Sequence, residues 1–250
     1  MIISGLLIGI LIGLTGVGGA ALLTPFLVAI GISPSLAVGT DLAFNAVTKL
    51  FGAVQHWRQK TVNFSLVKYL AMGSIPCSIL ATVLILFWNK GIFNEDQLIQ
   101  NALGYVLIFV AVSTLIRVLF DKQLRPNRFQ ALSLEQKKPL TILIGCIFGF
   151  IVGLTSVGSG SLFAMALIFF YQLKTSDLVG TDIFHAFMLV SVNCLLHLGA
   201  GNVDFSLLIQ LLAGSIPGVI IGSMLSTKVP AKPLRTLIAV FILASGIKLL

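Results

Sequence analysis

Apolar residues run through this chain in long unbroken stretches rather than in the short amphipathic patterns of a water-soluble fold. No Asp, Glu, Lys or Arg occurs from Met1 to Thr40, Tyr69 to Asn89, Gln97 to Ile116, Pro139 to Leu173, Ile183 to Val203 or Phe205 to Thr227. A helix needs about 20 apolar residues to cross the hydrocarbon of a bilayer, so these runs are long enough to span. Lipid satisfies no backbone hydrogen bonds, which restricts spanning segments to helices or closed barrels. The weak alternation of polarity argues against a barrel. The pattern predicts an all-α polytopic membrane protein with about eight segments, roughly 3–30, 35–57, 64–88, 97–118, 140–171, 177–199, 205–227 and 231–250. The first run lacks a basic n-region and continues into sequence interrupted by Gly and Pro. It is expected to be a mature span and not a signal peptide.

The segments fall into two similar sets. "GLLIGILIGLTGVGGAALL" from Gly5 aligns with "GCIFGFIVGLTSVGSGSLF" from Gly145, an offset of 140. At an offset of 141, Val38-Gly39-Thr40-Asp41-Leu42 matches Val179-Gly180-Thr181-Asp182-Ile183, and His56 matches His197. The same offset pairs Val62-Asn63-Phe64-Ser65-Leu66 with Val203-Asp204-Phe205-Ser206-Leu207, and Gly73-Ser74-Ile75-Pro76 with Gly214-Ser215-Ile216-Pro217. The expected organisation is a first repeat over 1–120, a basic linker over 121–138 and a second repeat over 139–250. Four spans per repeat predict two parallel copies related by an axis along the membrane normal. A Gly-rich segment that re-entered instead of spanning would make the count odd and the copies inverted.

Composition agrees with the pattern. The chain is 57% hydrophobic and 10% charged, against about 25% charged in soluble domains. Its net charge of +8 does not indicate nucleic acid. The densest basic cluster, Arg117 to Lys138 with Lys122, Arg125, Arg128 and Lys137, reads as a cytoplasmic loop under the positive-inside rule. His56-Trp57-Arg58-Gln59-Lys60 is basic too, whereas the stretch from Asn89 to Gln97 carries Glu95 and Asp96. With four spans per repeat, both termini are expected on the cytoplasmic side with the Arg117–Lys138 loop. Lys228, Lys232 and Arg235 are then an exception on the outer side. The three cysteines, Cys77, Cys146 and Cys194, all lie in apolar runs and are expected to be small core residues.

Three features carry candidate chemistry. The first is the Gly-rich stretch Gly13-Leu14-Thr15-Gly16-Val17-Gly18-Gly19, repeated from Gly153 to Ser161 with Ser156, Gly158 and Ser159. Small residues often serve only close helix packing. Glycine at this density also lets a helix break, and the ends of half-helices present backbone N–H groups to an anion. The two breaks are expected to approach each other near the midplane.

The second feature is a polar face within the spans. Asp41, Asn45, Thr48, Lys49, Gly52 and His56 share one helical face, as do Asp182, His185, Asn193 and His197 in the second copy. Polar residues in spans face the protein interior or a water-filled path. Thr40 and Thr181 could cap helices whose first turns hold Asp41 and Asp182, a structural role. Ser33-Pro34 and Ser176-Asp177 offer earlier starts. Lys49 lies inside its segment from either start, where it would attract an anion, with an Asp41 ion pair or snorkelling as the structural alternatives. Asp182 and His185 stand three apart, and an Asp–His proton relay or a purely structural hydrogen bond both fit that spacing.

The third is the pair His56 and His197, near helix ends, where a structural histidine is the commoner case. No short-spaced set of His, Cys and carboxylates suggests a metal, and no cofactor is expected.

These blocks, above all "AVGTDLAFNAVTKLFGAVQHWRQKTVNF" and "GAGNVDFSLLIQLLAGSIPG", resemble the sulfite exporter TauE/SafE family of membrane transporters. The resemblance covers nearly the whole chain. It implies transport of small sulfur-containing or organic anions, such as sulfite or sulfonates, across the bacterial inner membrane. The second copy departs from the first where Pro25 has no counterpart near Met165 and Val190 stands in place of Lys49. The residues expected to touch substrate are Gly16, Gly18, Gly19, Thr40, Asn45, Lys49, Ser156, Gly158, Ser159, Thr181 and Asn193. Asp41, Asp182 and His185 are expected to couple transport to a proton. The implied partners are a small anion and the lipid bilayer, with self-association left open and nucleic acid excluded. A polytopic enzyme is the rival reading, disfavoured because the carboxylates are single in each repeat. A passive channel is the third.

Overall fold

The computed structural model of the protein describes residues 1–15, 20–88, 95–120, 130, 132–225 and 231–250. Among these there is helix and no strand. The first half contains α1 (Ile2–Thr15), α2 (Ala20–Ala29), α3 (Pro34–Arg58), α4 (Phe64–Val83, continued by a π-helical turn Leu84–Trp88) and α5 (Glu95–Phe120). The second contains α6 (Lys138–Thr155), α7 (Ser161–Phe170), α8 (Thr175–Gly199), α9 (Phe205–Leu225) and α10 (Ala231–Leu249). Five helical stretches, 64–86, 96–116, 138–155, 175–199 and 205–222, are long and apolar enough to cross a membrane. α3 has the length but carries Asp41, Asn45, Lys49 and His56. The expected single segments 3–30 and 140–171 are each two helices.

The polarity of the packed structure is that of a membrane protein. Ile3, Phe51, Leu195, Tyr105, Ile209, Met224 and Leu237 are exposed, while Thr24, Asp41, Asn45, Ser74, Ser78, Asn193 and His185 are buried. Small residues let the helices approach closely enough for backbone contact, as lipid-embedded helices require. An added Cβ at Gly5 or Gly9 of α1 would strike the backbone of Leu211 or Ser215 in α9. At Gly145, Gly149 or Gly153 of α6 it would strike Leu70, Ser74 or Ser78 of α4.

These contacts also fix direction. Residue numbers rise together along α1 and α9, and along α6 and α4, so both pairs are parallel. Early in α3, Gly39 faces Asn202, which follows α8, and early in α8, Gly180 faces Thr61, which follows α3. The central pair α3 and α8 is therefore antiparallel. So are α5 and α10, since Gln100 near the start of α5 donates to Leu249 O at the end of α10, 3.1 Å. Helices α3 and α8, which the recurring blocks pair, thus run in opposite directions, as do α5 and α10, which corrects the expectation of parallel copies.

The reason is a fold-back. Lys137, just before α6, donates to Phe170 O at the end of α7, 3.1 Å, and the hydroxyls of Thr141 and Tyr171 are hydrogen-bonded. α7 therefore returns to the end where α6 began, and the Ser/Gly segment between them reverses the chain. The expected topology changes with it. α1 begins, α3 and α5 begin, and α10 ends at one end of the molecule, where Ser35 Oγ donates to Asp96 at 2.8 Å. The helices flanking the Arg117–Lys138 loop meet at the opposite end, so the termini do not share its side. α10 starts at the loop's end, with Lys232 and Arg235 in its first two turns. Lys122, Arg125, Arg128 and Lys228 lie outside the described residues. Lys137 is not a free loop charge: it is buried, with its ammonium 4.7 Å from the Tyr171 ring centre, and burial lowers its pKa.

The expectation for the cysteines is corrected as well. Cys77 of α4 and Cys146 of α6 are disulfide-bonded, with Cα atoms 5.2 Å apart. The close α4–α6 approach at Gly73 and Gly145 brings them within bonding geometry. Cys194 is free and buried.

Candidate functional site

The antiparallel helices α3 and α8 form the centre, and the polar face of α3 meets the broken segment between α6 and α7. α6 ends where Ser156 adopts a left-handed conformation, φ 62°, and Gly158 follows at φ 99°. The helix resumes at Ser161. Ser156 and Ser159 are both buried, so the break points its hydroxyls inward.

α3 starts at Pro34, the earlier of the two candidate positions, so Asp41 lies two turns inside and is not a first-turn residue. Its carboxylate is fully buried. Thr24 Oγ1 of α2 and Ser156 Oγ donate to Asp41 Oδ2 at 2.7 and 2.8 Å, and Asn45 Nδ2 donates to Oδ1 at 2.8 Å. Two turns further on, Lys49 Nζ donates to Ser159 Oγ at 2.9 Å and to Ser159 O at 3.3 Å. Its charge is attracted by Asp182 and, more weakly, by Asp41. Asp41 and Lys49 thus each bond a serine of the α6–α7 break, Ser156 and Ser159, three residues apart on it.

A second polar group fills the space between α4, α6 and α8. Asn193 Nδ2 donates to Ser78 Oγ at 3.0 Å and to Leu189 O at 2.7 Å. Thr82 Oγ1 lies 2.8 Å from Asn193 Oδ1 and 3.0 Å from Gly153 O. Two turns nearer the start of α8, His185 Nε2 is 2.8 Å from Ser74 Oγ, and its ring lies against Phe163. His185 Nδ1 has no hydrogen-bond partner. The imidazole therefore bonds Ser74 through Nε2, and its Nδ1 carries no hydrogen bond to Asp182, three positions earlier on the same helix.

The remaining expected residues are distributed as follows. Thr40 Oγ1 accepts the Asp204 N–H at 3.1 Å, and Thr181 Oγ1 accepts the Asn63 N–H at 3.0 Å. Both threonines hold the turn before a neighbouring helix. His56 Nδ1 meets Thr61 Oγ1 at 2.9 Å near the helix end, and His197 is buried with Nδ1 unpartnered. Gly158 sits in the break, whereas Gly16, Gly18 and Gly19 lie outside the described residues. Among the described residues no group of three or more His, Cys, Asp and Glu is placed to hold a metal ion.

Sequence reasoning missed Thr24, Ser74, Ser78 and Thr82. The duplicated Gly-Ser-Ile-Pro block marks Ser74, and a helical spacing of four leads from it to Ser78 and Thr82. Nothing in the sequence singles out Thr24. The two halves are unlike at this centre. Lys49 corresponds to Val190, Asn45 to Ala186, Asn193 to Gly52 and His185 to Phe44.

The family described as sulfite exporter TauE/SafE matches residues 1–249. The chain is 56% identical over 250 residues to the "Probable membrane transporter protein YjnA" of Bacillus subtilis (strain 168), covering 100% of this chain and 98% of that protein. It is 25% identical over 245 residues to "Probable membrane transporter protein YdhB" of the same organism, covering 98% and 96%. To "Probable membrane transporter protein MJ0441" of Methanocaldococcus jannaschii it is 28% identical over 172 residues, covering 64% and 57%. No solved structure matches. With its apolar helices and interior polar faces, the chain is a multi-pass membrane transporter that belongs to the sulfite exporter TauE/SafE family.

Proposed function

We propose that the protein is a secondary carrier of small anions, sulfite or organosulfonates or related organic anions, in the bacterial inner membrane. The observation that carries this reading is Lys49, a cation near the crossing of α3 and α8, bonded to Ser159 two residues before α7 begins. The ammonium and the N-terminal end of α7 favour negative charge at one place, the arrangement by which discontinuous helices hold anionic substrates. A buried cation costs about 2.5–3.5 kcal/mol on insertion scales unless something compensates it, and an entering anion supplies that compensation.

In this reading 1–120 and 139–250 are two repeats joined by the linker 121–138, each with four membrane segments, the first folded back as a hairpin. Three crossings and a hairpin per repeat make an inverted pair, the common plan of alternating-access carriers. The basic loop is cytoplasmic and both termini are external. Lys232 and Arg235, in the first turns of α10, then join the cytoplasmic side and cease to be exceptions to the positive-inside rule.

A membrane enzyme is the weaker reading. Ser74 and His185 do pair a hydroxyl with an imidazole, but both are fully buried and no carboxylate orients Nδ1. The test is uptake of radiolabelled sulfite and of short sulfonates by purified protein in liposomes, with counterflow to separate a carrier from a channel. Lys49→Met is expected to abolish uptake while the protein still inserts and folds. Transport by Lys49→Met at the wild-type rate refutes the reading.

A further inference from the structure

The α6–α7 break has two sides, and the anion reading uses only one of them. On the other, Asp41 Oδ2, Thr24 Oγ1 and Ser156 Oγ converge from three separate elements, with both hydroxyls within 2.8 Å of the same carboxylate oxygen. All three residues have 0% exposure. We infer that these three oxygens form a binding site for a monovalent alkali cation, Na+, at the C-terminal end of α6.

Four observations carry the inference. The first is electrostatic. Ser156 is the residue that ends α6, so the partial negative charge of the helix C-terminus faces the Asp41 carboxylate. Two like charges in a dry interior require a cation between them or close by. Asp41 also gains nothing from its own helix, whose N-terminus lies two turns away.

The second is a count of charge. α3 and α8 bury Asp41 and Asp182 against one ammonium, Lys49, whose hydrogen bonds go to Ser159. Among the described residues the other ionisable group at this centre, His185, is bonded to Ser74. With the histidine neutral the set is one positive charge short, which fits a monovalent ion and not a divalent one.

Third, every group placed on the carboxylate is a donor. Asn45 Nδ2 serves Oδ1, and the two hydroxyls serve Oδ2. A proton on Oδ1 would face the Asn45 amide, so a neutral carboxyl must carry its proton on Oδ2, toward a hydroxyl turned to accept it. A cation instead uses the lone pairs that the hydroxyl oxygens keep while donating.

Fourth, the ligands are all hard oxygens, without nitrogen or sulfur, which selects alkali or alkaline-earth ions over transition metals. Discontinuous helices in secondary carriers place cations at half-helix C-termini in this way.

Ser156 on the cation side and Ser159 on the anion side are three residues apart on one segment. Filling one site therefore repositions the groups of the other, and Na+ would enter with the anion. That coupling rests on the anion reading; the ion site itself does not.

The test is thermal unfolding of the purified protein in detergent without any anion substrate, in NaCl, KCl or choline chloride at equal ionic strength. Saturating Na+ is expected to raise the midpoint by about 5 °C over choline, with K+ less effective. The shift should vanish in Asp41→Asn. In Thr24→Val and Ser156→Ala the Na+ concentration giving half the shift should rise about tenfold. The two hydroxyl variants decide the matter even if Asp41→Asn does not fold. Equal midpoints in Na+ and choline overturn the inference, as does a Na+ shift undiminished in both hydroxyl variants. A midpoint that follows pH but ignores Na+ places a proton there instead and also overturns it. Sulfite uptake by Lys49→Met alongside a normal Na+ shift would sink the anion reading and leave the cation site standing.

Discussion

Gly149→Ala adds a methyl group to α6 where α4 leaves no room for it. The new Cβ would lie 2.3 Å from Ser74 O and 2.4 Å from Ser74 Cα, whereas ordinary contact begins at 3.4 Å. Both atoms are backbone, so no side-chain rotation relieves the clash and the helices must separate by about 1 Å. Overpacking of this kind costs about 1–3 kcal/mol. The displaced residue is Ser74, so its 2.8 Å bond to His185 is stretched as well, at about 1 kcal/mol. Against this stands the better helix propensity of Ala over Gly, about 1 kcal/mol. The net loss of about 1–3 kcal/mol lowers the unfolding midpoint on the order of 5 °C for a chain of this size. Gly9→Ala should behave alike, since its Cβ would meet Ser215 O at 2.5 Å in the equivalent α1–α9 contact. Gly199→Ala is the control, with nothing within 4 Å. The assay is the temperature at which the detergent-solubilised protein loses its monodisperse chromatographic peak. If Gly149→Ala and Gly9→Ala unfold at the temperature of Gly199→Ala, the backbone-contact argument for both helix pairs is wrong.

Two further predictions concern the arrangement of the chain. In a cysteine-free background, a single cysteine at Ser133, in the turn before α6, should be labelled by an impermeant reagent only from the cytoplasm, and a tag at either terminus should be reached only from outside. A terminus on the same side as Ser133 would contradict the antiparallel pairing of α3 with α8. The Cys77–Cys146 bond joins the two halves, so cleavage at a protease site inserted between 121 and 131 should yield fragments that separate on a denaturing gel only with reductant. Fragments that part without reductant would show that the two thiols are not joined.

Much of the candidate centre was legible as residue types. Asp41, Asn45, Lys49, His185 and Asn193 stand out because a polar group inside an apolar run must face other protein, and all five are interior or partly so. Ser156 and Ser159 stand out through the duplicated Gly-rich stretch. What each of them bonds was not legible. Asp41 takes its hydroxyls from Thr24 and Ser156, 17 and 115 residues away. His185 finds Ser74 across 111 residues, although Asp182 is three positions away on its own helix. Thr40 and Thr181 looked like site residues because the motif repeats, yet each holds the turn before a helix of the other half. Lys137 looked like a loop charge, and its long stem let it fold inward onto the end of α7.

The sequence by itself determined the class and displayed the recurring blocks. Runs of 20 or more residues without charge favour lipid, and the blocks recur at offsets of 140 and 141. Both follow from the chain read locally, because the transfer of a segment from water to lipid depends on its own side chains. The direction of the second unit needed the tertiary structure. Glycine and serine at 156–160 permit a break, but the break alone does not say whether the helix beyond it continues or turns back. Contacts from outside the segment decide that: the Lys137 ammonium on Phe170 O, and Thr141 on Tyr171. Once α7 turns back, α8 must run against α3, and Lys49 of one half meets Ser159 of the other. Partners across such distances are chosen by how whole helices pack, and packing is a property of pairs of surfaces that no single stretch of sequence contains.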